Sequence, residues 1–207
     1  MTWEQLRARW PWLPETSEGW HQHLIGGGWV ENSASVGDSA WIDGSAVVRD
    51  SARVFDSARV FDSAMVCGSA LVCDSAMVRD SAQVRGAAMV YGSAMIFDSV
   101  TVYDSARVCG AARVGGAAQV GGAAQVRDGL WTTTPLCIIG AMAYSISAAG
   151  PGAVAIGCEY HTLDEWEKNA EAIAATYGIA ADGLLETWLP IFRQWFKEHP
   201  IEPTRKG

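Results

Sequence analysis

Histidine is absent from the whole stretch between Trp29 and Trp131, and the chain has only four: His21, His23, His161 and His199. Histidine is the commonest metal ligand and acid–base group at neutral pH, so this stretch lacks the usual material for either chemistry. The close pair His21 and His23 is expected to be an exposed polar pair, since no third ligand is near. The sequence therefore predicts no catalytic residue, no metal site and no cofactor.

Positive charge is also scarce, with 15 Lys and Arg against 23 Asp and Glu and a net charge of −8. Binding nucleic acid through a basic patch is therefore not expected. The chain has no apolar run long enough to cross a membrane. Its five cysteines show neither paired metal-ligand spacing nor the density of a disulfide scaffold, which favours a reducing cytoplasm.

What the chain does contain is a six-residue phrase that repeats without insertion, with Val or Ile at every sixth position from Val30 to Val126. Such a short fixed period indicates a repeat architecture. Within each phrase Ala and Val alternate with two variable positions, so Ala and Val are predicted to share the interior of short strands. Three phrases make one triangular coil of eighteen residues, which predicts five to six stacked coils.

The pair of residues between strands is Asp-Ser, Gly-Ser, Gly-Ala or Asn-Ser, which suits a corner because Gly and Asp tolerate left-handed backbone conformations. Asp and Gly interchange at equivalent corners, which favours turn geometry as their main role. Corner Asp residues also form columns eighteen residues apart, such as Asp38, Asp56 and Asp74. A role in binding cations or in mimicking a polyanion remains the alternative.

Phrases such as Val54 to Arg59 resemble the hexapeptide-repeat proteins, and the resemblance implies a left-handed parallel β-helix. We therefore expect a mainly β chain in three parts. Residues 1–28 form an N-terminal cap that plugs the open end of the solenoid, with a helix over about residues 3 to 9. Residues 29–131 form the β-helix, and residues 132–207 form a small α+β domain with a hairpin and two helices.

The outward strand positions carry more apolar side chains than a solvated face should, and arginines flank them, which is typical of a contact surface. One face carries Leu71 beside other apolar residues, the next carries Trp41, Met77 and Met95, and the third carries Val47 and Met65. The predicted binding surface consists of Phe55, Cys73, Met89, Tyr91, Arg53, Arg107, Phe61, Phe97, Arg59 and Arg79.

In the C-terminal part, two apolar runs on either side of Gly150-Pro151-Gly152 predict a β-hairpin. Thr162 and Glu165 have capping-box spacing and open a helix that should stop at Gly178, and Asp182 is expected to cap the last helix. Cys158 and His161 are three residues apart, but the end of a strand and the entry to a helix account for both.

The segment Ile156 to Trp166 resembles the C-terminus of small hexapeptide-repeat proteins encoded by temperate phages. Acyltransferases of the hexapeptide-repeat family use a histidine, and the similar γ-class carbonic anhydrases take three from the coils, where this chain has none. We therefore expect a non-catalytic interaction protein, a phage-derived inhibitor of a bacterial defence system such as an anti-CRISPR. It would bind a host protein or nucleoprotein in the host cytoplasm and form a homo-oligomer, with a dimer favoured. The alternatives are a divergent acyltransferase that uses His161 or His23, and a bactofilin-like structural polymer.

Overall fold

The computed structural model describes residues 1–138, 144–177 and 181–204. The N-terminal helix is α1 (Trp3–Arg9), with Thr2 and Gln5 forming the expected capping box. The strands up to residue 131 are β1 (Trp20–Gln22), β2 (Trp29–Glu31), β3 (Ser35–Val36), β4 (Trp41–Ile42), β5 (Val47–Val48), β6 (Arg53–Val54), β7 (Arg59–Val60), β8 (Met65–Val66), β9 (Leu71–Val72), β10 (Met77–Val78), β11 (Gln83–Val84), β12 (Met89–Val90), β13 (Met95–Ile96), β14 (Thr101–Val102), β15 (Arg107–Val108), β16 (Arg113–Val114), β17 (Gln119–Val120), β18 (Gln125–Val126) and β19 (Leu130–Trp131).

These strands form a parallel solenoid of about six turns, as the repeat predicts. From β2 to β15, each strand pairs in parallel with the strand eighteen residues further on, so Arg59, Met77 and Met95 lie side by side. The three sheets are named here after one outward residue of each. The Val47 face contains β2, β5, β8, β11, β14 and β17; the Tyr91 face contains β3, β6, β9, β12, β15 and β18; the Phe97 face contains β4, β7, β10, β13, β16 and β19.

The interior consists of the predicted columns of Val and Ala, whose side chains are almost wholly removed from solvent from Ala40 to Val126. In the last turn the inward position is taken by Trp131, which pairs with Val114 one residue short of the usual eighteen. Its indole Nε1 donates to the carbonyl of Asp128 at 2.7 Å, and the side chain is fully buried. A large ring thus closes the end of a column of small side chains.

The corners explain the interchange of Asp and Gly. Every sixth residue from Asp50 to Gly122 has a φ between 54° and 73°, a conformation that only Gly and, among other residues, Asn and Asp adopt readily. Each of the seven Asp at these positions also accepts a hydrogen bond from the main-chain N–H one coil further on, such as that of Asp98 to Asp80 at 3.0 Å. These carboxylates therefore tie successive coils together, which supports the structural role.

The open edge of the first coil presents carbonyl groups, because the main-chain N–H groups of each coil donate to the coil that follows. Residues 20–28 cover this edge at two of the three sheets. β1 pairs antiparallel with β2, Gly28 donates its N–H to the carbonyl of Ile42 at 2.9 Å, and His23 donates from Nε2 to the carbonyl of Ala40 at 3.0 Å. The expected exposed pair is therefore wrong for His23, which is buried, whereas His21 is exposed.

The C-terminal part has more strands than the sequence predicts. β20 (Cys137–Ile138), β21 (Ile146–Gly150), β22 (Ala153–Ile156) and β23 (Glu159–Thr162) form one antiparallel sheet in that order. The expected hairpin is β21 and β22, joined at Pro151 and Gly152. The sequence did not predict the short strands β20 and β23, although a turn at Gly157 precedes β23. Part of the first apolar run lies at residues 139–143, outside the described residues.

The helices that follow are α2 (Leu163–Tyr177), α3 (Ala181–Gly183), a π-helical turn (Leu184–Trp188) and α4 (Leu189–Glu198). Thr162 and Glu165 form the expected reciprocal bonds before α2, while the predicted stop at Gly178 lies outside the described residues. Asp182 lies inside α3, so its assignment as a cap is wrong. Pro190 lies in the first turn of α4, directly after the π-helical turn.

This C-terminal unit docks on the last coil, whose edge presents N–H groups. The N–H of Arg127 donates to the carbonyl of Ala149 at 2.7 Å, and that of Gln125 donates to the hydroxyl of Ser147 at 3.1 Å. Residue Leu130 donates to Glu202 in the C-terminal tail at 2.8 Å. Both ends of the solenoid thus carry their own covering segments, which speaks against end-to-end stacking into a polymer.

Candidate interaction surfaces

The structure places all ten residues of the predicted binding surface on the outside of the solenoid, on two adjacent faces. Arg53, Arg59 and Arg107 are exposed, and the others are partly buried against their neighbours. The Tyr91 face carries Phe55, Cys73, Met89, Tyr91, Arg53 and Arg107; the Phe97 face carries Phe61, Phe97, Arg59 and Arg79.

On the Tyr91 face the outward side chains form two parallel columns, one on the strands and one just after them. The strand column is Arg53, Leu71, Met89 and Arg107, and the second column is Phe55, Cys73, Tyr91 and Cys109. A hydrogen bond to Cys109, together with burial, raises the pKa of the Tyr91 hydroxyl. Both columns are neutral in the middle. The strand column has Arg53 and Arg107 on either side of Leu71 and Met89, and the second column reaches Arg127 one coil beyond Cys109.

The Phe97 face has a similar strand column, and its second column carries Arg79 between Phe61 and Phe97. Arg59, Met77, Met95 and Arg113 are in register on successive strands. Beside them the Arg79 guanidinium lies 5.3 Å from the centre of the Phe97 ring, and that ring lies across Gly115 of the next coil. A side chain at Gly115 would collide with the ring, so the glycine allows the aromatic residue to lie flat on the sheet.

On the Val47 face, the outward apolar side chains are covered by another segment of the same chain. Its residues Val47, Met65 and Cys67 are 0%, 8% and 6% exposed because α1 packs on them through Trp3 and Leu6. The N-terminal segment was expected to plug the end of the solenoid; in fact residues 20–28 cover the end and the helix covers the side.

Sequence reasoning missed this helix–face contact, although a signal for it was available. Trp3, Leu6 and Trp10 follow a three-and-four spacing, which places them on one side of a helix and its continuation. Leu13, Trp10 and Trp20 belong to the same cluster, and Trp3 contacts the ring of Trp29 edge to face with 4.9 Å between ring centres. The Arg49 guanidinium lies 4.5 Å from the Trp12 ring and fastens the segment to the face.

All four histidines lie in the terminal segments, away from the outward columns. His161 Nε2 is 2.9 Å from a carboxylate oxygen of Glu159, and its ring meets Trp166 edge to face. His199 stacks on Trp195 with its Nδ1 3.1 Å from the Trp195 carbonyl. His161 thus links β23 to α2, and His199 lies at the end of α4.

One group of side chains in the described ranges is close enough to share a cation: Asp56, Cys73 and Asp74, whose ligand atoms lie within 4.8 Å of one another. Burial, then the charges of Asp74 and Asp56, raise the pKa of the Cys73 thiol. The Asp56 carboxylate already accepts from the Asp74 N–H, and both carboxylates are exposed. The hydrogen bond between successive corners therefore explains why these carboxylates lie close together.

None of the helices in the described ranges is both long and apolar enough to span a bilayer. No protein-family model, curated protein or solved structure matches this chain, so what it does must be argued from its surfaces.

Proposed function

We propose that this chain is a non-catalytic interaction protein that binds a macromolecule through the Tyr91 and Phe97 faces. The observation that carries the proposal is the contrast between the three faces. Apolar outward residues on the Val47 face are covered by the chain's own helix, while Met89, Tyr91, Met95 and Phe97 have no covering segment among the described residues. Partly exposed apolar side chains framed by arginine are typical of contact surfaces.

The concrete form that we propose is inhibition of a bacterial defence system, such as an anti-CRISPR activity, by a phage-derived protein in the host cytoplasm. The resemblance of Ile156 to Trp166 to phage-encoded proteins motivates it. A rigid solenoid suits the task, because binding by a preformed surface loses little conformational entropy.

The proposal for self-association concerns the Tyr91 face. A two-fold axis parallel to the solenoid axis would lay the strand column of each copy over the second column of the other. Arg53 then meets Phe55 of the second copy and Met89 meets Tyr91, pairs that attract through cation–π and sulfur–aromatic contacts. An axis perpendicular to the solenoid would instead place Arg53 against Arg107, so we propose the parallel dimer.

The experiment is a plaque assay in bacteria that carry a CRISPR system directed against a test phage. We expect the wild-type chain to restore plaques, and Tyr91→Glu or Met95→Glu to lose the effect. Gln119→Glu, on the exposed end of the Val47 face, is the matched control and should behave as wild type. If Tyr91→Glu and Met95→Glu restore plaques as well as the wild type does, these two faces are not the binding surface. If the wild type fails against a panel of defence systems, inhibition of bacterial defence is not its function.

A thermal-shift measurement with acetyl-CoA addresses the acyltransferase alternative. We expect no stabilisation, because no histidine lies beside the outward columns. A saturable rise in melting temperature that is lost in His161→Ala would favour the enzyme.

A further inference from the structure

We propose that the Phe97 face binds one amphipathic α-helix of its partner, laid along the solenoid axis, with an acidic residue at each end of a short apolar stripe. This inference rests on the proposed function, because it names the chemistry of the partner that the uncovered face receives. The receiving element is formed by Arg59, Met77, Met95 and Arg113 and is called the Arg–Met ladder below. The outward column to which it belongs continues to Trp41 before it and to Leu130 after it.

The ladder has charge at its ends and apolar side chains between them. Arg59 and Arg113 are exposed, and no ion pair to either arginine is found in the described part of the chain. Glu202 borders the same depression as Arg113 without pairing with it. Met77 and Met95 are partly buried, and the flexible thioether adapts to an apolar side chain laid against it.

The spacing of the ladder fits a helix. Neighbouring strands lie about 4.8 Å apart, so the two arginines are about 14 Å apart with the methionines evenly between them. Along a helix, residues taken at steps of three, four and three lie on one side and rise over about 15 Å. A partner helix can therefore place an acidic residue opposite Arg59, one apolar residue opposite each methionine, and a second acidic residue opposite Arg113. An extended strand covers the same length in about four residues and presents only one apolar side chain between the acids.

The protein itself supplies a precedent for a helix on a solenoid face. α1 lies against the Val47 face, where Trp3 and Leu6 contact the outward column that contains Val47 and Met65. The column of Val47 and Met65 occupies the same outward strand position on its face as the Arg–Met ladder does on the Phe97 face. It has no arginine at either end, and the helix that covers it presents aromatic and aliphatic residues.

A protein partner is favoured over nucleic acid by the same charges. The corner carboxylates Asp56 and Asp74 border the ladder on one side, and the net charge of −8 repels a polyanion. Two arginines separated by methionines offer few phosphate contacts, whereas local acid–arginine pairs with an apolar middle suit a helix.

The test uses synthetic helical peptides labelled for fluorescence anisotropy. The probe carries Glu, Leu, Leu and Glu at successive steps of three, four and three residues, and the control peptide carries Lys in place of both Glu. We expect saturable binding of the Glu peptide, at least about tenfold tighter than the Lys peptide, and weaker binding at high salt.

The protein variants assign the peptide to the ladder. Arg59→Glu with Arg113→Glu should weaken binding by about tenfold or more, whereas the matched pair Arg53→Glu with Arg107→Glu on the Tyr91 face should not. Circular dichroism checks the fold of both, and Arg59→Gln with Arg113→Gln replaces the first pair if it fails to fold. Equal binding of both peptides, no binding of either, or an equal effect of the two variant pairs would overturn the inference.

Two further measurements distinguish a partner helix from other molecules that could bind the ladder. The plaque assay then distinguishes a failure of this inference from a failure of the proposed function. Binding of a short DNA duplex that depends on Arg59 and Arg113 would assign the face to nucleic acid, and loss of a dimer in that variant would assign it to a second copy; either overturns the helix. If the ladder variant loses plaque restoration but no peptide binds, the helix is wrong and the surface function stands. If the peptide binds but the variant restores plaques, the ladder binds a helix and the Phe97 face has no part in the proposed function.

Discussion

The imidazole of His23 donates a hydrogen bond from Nε2 to the main-chain carbonyl of Ala40, with 3.0 Å between the two atoms. In later coils the corresponding carbonyl receives the main-chain N–H of the preceding coil, as Ala58 receives that of Trp41. At the first coil, which has no preceding coil, the His23 side chain thus replaces the main-chain donor. The nitrogen that faces the carbonyl must carry the proton, which fixes the tautomer of the neutral ring.

We expect His23→Ala to lower the free energy of unfolding by about 1–3 kcal/mol, because it leaves the Ala40 carbonyl buried without a donor. His21→Ala, at the exposed neighbour, should change it by less than about 0.5 kcal/mol. Urea denaturation of both variants makes the comparison, and equal effects would show that the bond to Ala40 does not stabilise the edge.

The interior columns predict that inward and outward positions differ strongly in their tolerance of a charged residue. Val78→Asp places an unpaired charge in the fully buried core and should cost several kcal/mol or prevent folding. Gln83→Asp, at a partly exposed outward position, should cost less than about 1 kcal/mol. Melting temperatures followed by circular dichroism decide the matter, and an unchanged value for Val78→Asp would mean that the inward and outward positions had been exchanged.

The corners allow the two roles of aspartate to be separated at Asp80, which has a φ of 62° and accepts from the Asp98 N–H. Asp80→Ala loses both the hydrogen bond and the tolerance of a left-handed conformation, and should cost about 1–3 kcal/mol. Asp80→Gly keeps the conformational freedom and should cost about 1 kcal/mol less. If chemical denaturation ranks glycine below alanine, backbone strain does not select the corner residue.

Self-association through the Tyr91 face is tested by Tyr91→Glu, which should convert a dimer into a monomer by light scattering while the β-rich circular dichroism remains. The matched change Met95→Glu on the Phe97 face should leave the dimer intact, because its column lies on another side of the solenoid. A wild-type protein that is monomeric at high micromolar concentration would defeat the dimer and leave partner binding for this face.

Stability should fall at alkaline pH because burial raises the pKa of the Cys67 thiol in the folded protein. Above the unfolded value of about 8.5 the unfolded thiol ionises while the folded one stays protonated, so stability is present below that pH and lost as pH rises towards the folded pKa. Urea midpoints at about pH 7.5 and 9.5 measure the loss. Cys67→Ala should reduce this pH dependence, and an unchanged loss of stability would show that the Cys67 thiol does not cause it.

The solenoid could be predicted from the amino-acid pattern alone, because a strict period of six buries Val and Ala of every phrase together only when the phrases stack as coils. The same pattern also determined which side chains point outward, including Tyr91 and Phe97, since alternation along a two-residue strand assigns each position to one side. The corner residues were predictable for the same reason, since left-handed backbone restricts them to Gly, Asp and Asn.

Which outward residues remain accessible to a partner depends on how distant segments of the chain pack. Val47 and Met65 look like Met77 and Met95 in sequence, and the difference is that α1 lies on the first pair. The burial of His23 is equally invisible in the sequence, because the demand for a donor at Ala40 arises where the stack of coils ends. Contacts between segments far apart in the chain depend on the direction in which a loop returns, and the local pattern of residues carries no information about that direction.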